Sequence, residues 1–191
     1  MAATGVISGL SAGSGVQEHT TAEPVRRSVR VRATAARAFE VFTNEIDTCW
    51  PATYHIGSSA PKRVVVEGRE GGSIYTEQED GTNSPWAKVL SWEPAHRLVF
   101  AWQVSPEFQY EPELAKNSDV EVSFASVADG ITEVNLEHRG FDRHGDGHEG
   151  VRDGRCGRRM GRIALAFRGE GRWGSIAEIS CEFEPIPEIM G

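Results

Sequence analysis

The fold is decided by the stretch WAKVLSWEPAHRLVFAWQV, residues 86–104, which contains two apolar runs in close succession. In each run large apolar side chains alternate with other residues, and a period of two is typical of a half-buried β-strand. Two such strands side by side form an antiparallel pair with one apolar face. The residues predicted on that face are Trp86, Leu90, Trp92, Leu98, Phe100, Trp102 and Val104.

Further alternating runs lie on both sides of this stretch and are separated by turn signals. Gly71-Gly72, Asp80-Gly81 and Asp129-Gly130 mark the reversals, because glycine adopts the positive φ angles of tight turns. The whole pattern predicts a meander of about six to seven antiparallel strands with one apolar face. The runs are PVRRSVRVRA (24–33), KRVVVEG (62–68), SIYTEQ (73–78), DVEVSFAS (119–126) and ITEVNLEH (131–138).

A short helix is predicted between the first two of these runs. Thr34 is placed to cap it, and apolar residues then recur at spacings of three and four, before Trp50-Pro51 ends the helix. At roughly 17 Å it is too short to cover the apolar face, so a second, longer helix is expected after His138. The fold class is therefore α+β. The apolar helix positions are Ala35, Ala38, Phe39, Phe42 and Ile46.

Composition and charge describe one acidic globular domain with tails. The chain has 191 residues, of which 39% are hydrophobic and 25% charged, and its net charge is -8. An acidic chain lacks the excess of lysine and arginine that nucleic-acid binding needs. No apolar run approaches the ~18 residues of a membrane span. We therefore expect no nucleic acid as a partner, no membrane span and a cytoplasmic location.

The chain divides into three segments. Residues 1–23 are rich in glycine, serine and alanine and are predicted to form a flexible N-terminal segment. Residues 24–150 form the predicted domain, and residues 151–191 an atypical C-terminal tail. Three scattered cysteines, Cys49, Cys156 and Cys181, form no CxxC pair, which favours a reducing compartment over a disulfide framework or a zinc site.

In this order, four stretches resemble the START-like (SRPBCC) superfamily, and within it the bacterial proteins similar to the C-terminal domain of the heat-shock-protein-90 ATPase activator. The resemblance implies a helix-grip fold, in which a curved antiparallel sheet wraps a long C-terminal helix and leaves a cavity. In such folds the cavity typically receives hydrophobic small molecules, while some members bind only protein partners. The stretches are ATAARAFEVFTNEIDTCWP (33–51), EGREGGSIYTEQEDG (67–81), WAKVLSWEPAHRLVFAW (86–102) and SDVEVSFASVADGITEVNLEHRGF (118–141).

The resemblance is lost after about Val151. The family ends in an amphipathic helix that begins near a Gly-Gly-Trp element, whereas glycines interrupt residues 154–171 here, and each interior glycine costs a helix about 1 kcal/mol relative to alanine. We hypothesise that this tail is a frameshifted reading. A one-base shift across residues 155–169, with plausible GC-rich codons, creates Gly-Gly-Trp, and its tryptophan arises from Met160-Gly161.

The candidate ligand site is the apolar face of the sheet, because ligand cavities are mostly apolar with a few polar groups. Ordinary core packing of the same rings is the alternative. His138, beside Leu136 on that face, and His55 are candidates to contact a polar group of a ligand, with a satisfied structural histidine as the alternative. No catalytic residue is assigned. The predicted ligand-binding residues are Trp50, His55, Trp86, Trp92, Phe100, Trp102, Phe124 and His138.

Three other motifs carry no predicted function. His144 and His148 lie in FDRHGDGHEG, which is rich in glycine and lacks the HExxH pattern, so we predict a solvated loop there and no metal site. GREGG at residues 68–72 matches no phosphate-binding loop. The arginines of residues 152–162 lack the interleaved aromatic residues of a nucleic-acid patch. No cofactor is expected.

The leading functional hypothesis is binding of a hydrophobic small molecule in a helix-grip cavity, without catalysis. Two alternatives remain open. One is a protein-interaction module of the co-chaperone kind, acting in the stress response. The other is an enzyme of the cyclase or hydratase kind, with His138 or His55 as acid or base.

Overall fold

The computed structural model describes residues 22–46 and 55–153 and shows one antiparallel sheet. Its strands are β1 Val25–Val31, β2 Pro61–Val66, β3 Ser73–Gln78, β4 Asn83–Glu93, β5 Arg97–Trp102, β6 Ser118–Ala128 and β7 Ile131–Arg139. They lie in the order β1-β7-β6-β5-β4-β3-β2. The seven strands form a curled half-barrel, which confirms the predicted α+β helix-grip fold.

The first helix, α1 (Ala35–Asn44), lies on the concave side of the sheet, where it packs against β2, β6 and β7. The predicted cap is confirmed, since the Thr34 hydroxyl accepts a hydrogen bond of 3.3 Å from the backbone N–H of Arg37. Ala38 and Phe39 are buried. The apolar stripe of α1 therefore covers part of the concave face.

The chain after β7 continues as a 3-10 helix, Phe141–His144, and then a helix α2, His148–Asp153. His148 therefore begins a helix where we predicted a loop. None of the described helices is long and apolar enough to cross a membrane. The predicted tail from residue 154 onward, the frameshift hypothesis and most of the predicted N-terminal segment lie outside the described residues.

One prediction about the pleat of β4 was wrong. The pairing of β4 with β5 shifts register between Val89 and Ser91. Val89 and Trp92, three residues apart, consequently both face the concave side. Leu90, which we predicted on the apolar face, is partly exposed and is not among the residues that pack in or against the core. A β-bulge adds one residue to a strand, so simple alternation cannot detect it.

Candidate functional site

The aromatic residues of the concave face form two groups at opposite ends of the sheet. We call the first the helix end, which consists of Phe39, Phe42, Trp92 and Phe124. We call the second the histidine end, which consists of Trp86, Phe100, Trp102, Ser118, His138, Phe141 and His144. Trp86 and Trp92 both belong to β4 but lie near its two ends, so one strand contributes an indole to each group.

The helix end is a cluster of aromatic rings packed edge to face. The ring centroid of Phe39 lies 5.0 Å from that of Trp92 and 5.4 Å from that of Phe124, both edge to face, and Phe42 lies 5.9 Å from Phe124. Edge-to-face pairs of this kind stabilise the fold by more than the burial of their apolar surface alone would. Gly68 approaches so closely that a Cβ there would lie 2.9 Å from the Trp92 indole.

The rings of the histidine end surround a polar centre. The Trp86 ring centroid lies 5.5 Å from that of Trp102 and 6.3 Å from that of Phe100. His138 lies 6.0 Å from Trp102 and 4.3 Å from Phe141. Because Trp102 pairs with Ser118 across β5 and β6, a hydroxyl group lies next to the indole on the same face.

The polar centre is a serine hydroxyl shared by two imidazoles. Ser118 Oγ lies 2.7 Å from His138 Nε2 and 2.9 Å from His144 Nε2, and Ser118 is fully buried. The 3-10 helix after β7 brings His144 back onto the start of β6. Its Nε2 also accepts a hydrogen bond of 3.2 Å from the Ser118 backbone N–H.

These contacts assign the protons of the neutral cluster. Because His144 Nε2 accepts from a backbone N–H, it carries a lone pair, and the Ser118 hydroxyl can donate to it as well. His138 Nε2 then donates to the hydroxyl oxygen. This assignment leaves a lone pair on His138 Nδ1 and an N–H on His144 Nδ1, and neither atom has a hydrogen-bonding partner among the described residues.

Burial keeps both imidazoles neutral. Loss of hydration lowers the pKa of His138 to about 3, and the nearby His144 and Arg143 act in the same direction. Burial likewise lowers the pKa of His144 to about 4, with Arg143 and His148 contributing. The Arg143 guanidinium is itself held by Asp119 at 2.6 Å. At neutral pH the cluster therefore offers hydrogen bonds and carries no charge.

Two further polar atoms that face the concave side are buried without a partner in the described part of the chain. They are the hydroxyl of Thr76 on β3 and Nε of Arg27 on β1. Most buried polar groups in folded proteins are hydrogen-bonded, so unused donors and acceptors indicate a place where a ligand or water binds. Arg27 shares the inward positions of β1 with Val25 and Val29.

The structure divides the predicted ligand-binding residues between the two groups. Trp86, Phe100, Trp102 and His138 come together at the histidine end, whereas Trp92 and Phe124 pack against α1 at the helix end. His55 is partly buried in the segment before β2 and belongs to neither group. Trp50 lies outside the described residues.

Sequence reasoning missed three residues of this face. Ser118 is a small polar residue at a strand start, and no pattern linked it to the histidines. His144 was predicted to lie in a solvated loop, whereas it ends a 3-10 helix and contacts Ser118. No cluster of three or more metal-binding side chains occurs in the described segments. Arg27 was detectable, because positions 25, 27, 29 and 31 of an alternating strand share one face.

A second concavity lies outside the sheet, against α1. This groove of about 520 Å³ adjoins the helix end, because Phe39 and Trp92 line it together with polar residues that include Arg37 and Glu40. Arg37 contacts Glu45 at 2.5 Å and Glu40 at 3.1 Å, so the cation that lines this groove is already paired. The histidine end, with unused hydrogen-bonding atoms, is the better candidate site.

Comparisons with known proteins agree with this fold. A family model described as "Activator of Hsp90 ATPase homolog 1-like protein" matches residues 32–156. None of the curated proteins matches the sequence. Among solved structures, an anthrahydroquino-gamma-pyrone synthase, Txn09, complexed with SUM is 29% identical, with a TM-score of 0.55, and the match covers 83% of this chain and 97% of that one.

Two further solved structures show the same fold at lower identity. CalC, a self-sacrificing resistance protein from Micromonospora echinospora, is 24% identical with a TM-score of 0.50, over 81% of this chain and 94% of that one. Protein Ms6760 from Mycobacterium smegmatis is 16% identical with a TM-score of 0.51, over 82% of this chain and 87% of that one.

Proposed function

The chain belongs to the activator of Hsp90 ATPase homolog 1-like family, and on that premise we propose that the histidine end of its concave face binds a hydrophobic small molecule. The observation that carries the proposal is that three large aromatic rings lie together with hydrogen-bonding atoms that have no partner among the described residues. Binding sites for small molecules combine apolar walls with a few polar groups that fix orientation. Trp86, Phe100 and Trp102 supply the walls, and His138 Nδ1 supplies an acceptor.

The low basicity of the cluster favours binding over catalysis. A general base works best when the pKa of its conjugate acid lies near the working pH. A His138 pKa of about 3 makes this imidazole a weak base at neutral pH. It is well suited, however, to accept a hydrogen bond from a ligand hydroxyl, because a neutral imidazole keeps its lone pair.

Binding can be tested with the neutral apolar dye N-phenyl-1-naphthylamine. Val120 lies between Phe100 and His138 in the sheet register and is buried. We expect Val120→Phe to reduce dye affinity by filling the histidine end. Val127→Phe is the matched control on the same strand, because Val127 is 46% exposed. Thermal melts establish that each variant is folded, and no saturable binding to the folded wild type would refute the proposal.

The location of binding can be tested separately by NMR. We expect dye binding to shift the indole N–H resonances of Trp86 and Trp102 and to leave that of Trp92 nearly unchanged. Trp→Phe variants assign the resonances. A larger shift at Trp92 than at Trp102 would move the site to the helix end.

A second candidate function is a polyketide-type cyclisation, favoured by the 29% identity to a pyrone synthase and by the Ser118 cluster. Here His138 Nδ1 would take a proton from an enolisable ligand, His138 Nε2 would give its proton to Ser118 Oγ, and the Ser118 hydroxyl proton would pass to His144 Nε2, which leaves an enolate and a protonated His144. The step needs a bound ligand that raises the basicity of His138. Turnover of a polyketide-like substrate that is abolished by Ser118→Ala, with dye binding retained, would support this candidate over simple binding.

A further inference from the structure

Arg27 occupies an unusual place on the concave face. Its register partner on β7 is Leu136, which is buried, and its neighbours on the same face of β1 are Val25 and Val29. Arg27 is partly exposed, but its Nε is buried, and a buried polar atom without a hydrogen-bonding partner costs free energy. Among the described residues Arg27 makes one hydrogen bond, from Nη1 to the Arg26 carbonyl at 2.7 Å, and its buried Nε has no partner.

The outward arginines of the same strand are arranged differently. Arg26 faces Glu137 in the register and contacts it at 2.6 Å, and Arg30 faces Glu133 and contacts it at 3.0 Å. Each of these two cations therefore has a carboxylate directly opposite on β7. Arg27 has a leucine there, so among the three arginines compared it is the one without a carboxylate opposite in the described sheet.

Arg27 also lies close to the polar centre of the proposed site. His138 pairs with Val25, and Leu136 pairs with Arg27, so Arg27 and His138 are diagonal neighbours on adjacent strands. Diagonal neighbours on one face of a sheet are about 7–8 Å apart. One ligand of modest size can therefore reach the guanidinium and His138 Nδ1 together.

We propose that the ligand of this site is an amphipathic acid, an apolar or aromatic body with one anionic group such as a carboxylate, sulfonate or acidic phenolate, and that Arg27 binds that group. The inference rests on the proposed binding function and adds the charge of the ligand. A guanidinium recognises an oxyanion by charge-assisted hydrogen bonds, which are stronger than neutral ones. A bound anionic group supplies the counter-charge that Arg27 lacks within residues 22–46 and 55–153.

The test uses two dyes with the same aromatic skeleton. 8-Anilino-1-naphthalenesulfonate differs from N-phenyl-1-naphthylamine by its sulfonate group. We expect Arg27→Met to weaken binding of the sulfonate dye about tenfold and to change binding of the neutral dye by less than about twofold. Arg30→Met, the same substitution on the outer face of the same strand, should affect neither dye. Arg27→Lys keeps the charge and should keep most of the preference for the sulfonate.

The outcomes separate the two proposals. If the neutral dye binds but Arg27→Met weakens both dyes equally, or neither, Arg27 has no role in recognising the anion and this inference is overturned while the proposed function stands. If neither dye binds the folded wild type, the proposed function fails, and the inference fails with it. If Arg27→Met does not fold, titrations of wild type and Arg27→Lys still test the inference. A wild-type protein that binds the sulfonate dye no more tightly than the neutral dye contradicts it.

Discussion

The helix end and the histidine end of the concave face are both rich in aromatic rings, but they differ in what lies among the rings. At the helix end Phe39 contacts Trp92 and Phe124 edge to face, and the nearest charged side chains, Arg37 and Glu40, pair with each other. At the histidine end the rings surround Ser118 and two imidazoles, each with one nitrogen atom that has no hydrogen-bonding partner in the described part of the chain. Similar residue types therefore build a packed core at one end and a candidate binding surface at the other.

The difference follows from hydrogen-bonding capacity. A cluster of hydrocarbon rings gains most by excluding everything else, because close packing maximises burial and dispersion. A cluster that contains buried polar atoms is stable only when those atoms have partners. Where the described residues provide no hydrogen-bonding partner for a polar atom, a ligand can provide one. We therefore propose the histidine end, and not the helix end, as the binding site.

The largest expected effect comes from opening the core at the helix end. Phe39→Ala removes the ring that joins Trp92 to Phe124 and should lower the free energy of unfolding by about 3–5 kcal/mol. Urea denaturation measures this change, with Val127→Ala on the exposed part of β6 as a control expected within about 0.5 kcal/mol of wild type. A small effect of Phe39→Ala would remove the distinction between the two ends.

Removing the Ser118 hydroxyl at the histidine end should have an intermediate effect on the free energy of unfolding. Ser118→Ala leaves His138 Nε2 without its partner and should cost about 1–3 kcal/mol. In His138→Phe that nitrogen is absent, so the further cost of Ser118→Ala should be smaller. A double-mutant cycle measures the coupling between the two side chains, expected at about 1 kcal/mol. Strictly additive effects would contradict the shared hydrogen bond.

The two ends should also differ in their response to pH. Burial holds the pKa of His138 at about 3 and that of His144 at about 4, below the ordinary value of 6.5. Between those values the unfolded chain binds more protons than the folded one. Stability is therefore fully present above about pH 6.5 and is lost as the pH falls toward 4.

Denaturation profiles from pH 7 to pH 4 test this expectation. His138→Phe should flatten the decline in the free energy of unfolding, because one of the buried imidazoles is removed. Phe42→Leu at the helix end should lower stability by a similar amount at each pH, because no titratable group is changed. An unaltered slope in His138→Phe would show that other groups govern the acid response.

The smallest effect is expected on the convex side, away from both ends. Arg30 contacts Glu133 at 3.0 Å, but its side chain is 62% exposed. Exposed ion pairs contribute about 0–1 kcal/mol, so Arg30→Met should leave unfolding and dye binding nearly unchanged. If Arg30→Met lowered the free energy of unfolding as much as Ser118→Ala, the ion pairs of the convex side would stabilise the sheet more than exposed ion pairs are expected to.

Much of the fold was predictable because strand alternation and turn chemistry are local properties of the sequence. The run SIYTEQ matches β3 residue for residue, and the Thr34 cap is confirmed by its hydrogen bond. Leu90 was misplaced because the bulge in β4 depends on pairing with β5. The frameshift hypothesis stays a prediction, and sequencing the coding DNA around Met160-Gly161 decides it.

The candidate site was less predictable than the fold. His138 was placed on the apolar face by alternation alone, and the large rings were recognised by type. Nothing local, however, divides those rings into a core and a binding surface. Ser118 and His144 are 26 positions apart and meet only because the 3-10 helix after β7 folds back on β6.

The sequence by itself determined the strands, the first helix, the apolar face and the family, because these depend on periodicity, capping and turn residues that neighbouring positions specify. Only the tertiary structure decided which aromatic residues meet, which polar atoms remain without partners and which arginine of β1 lacks a carboxylate. Those properties depend on the register between strands distant in the chain, and register is fixed by the packing of the whole sheet.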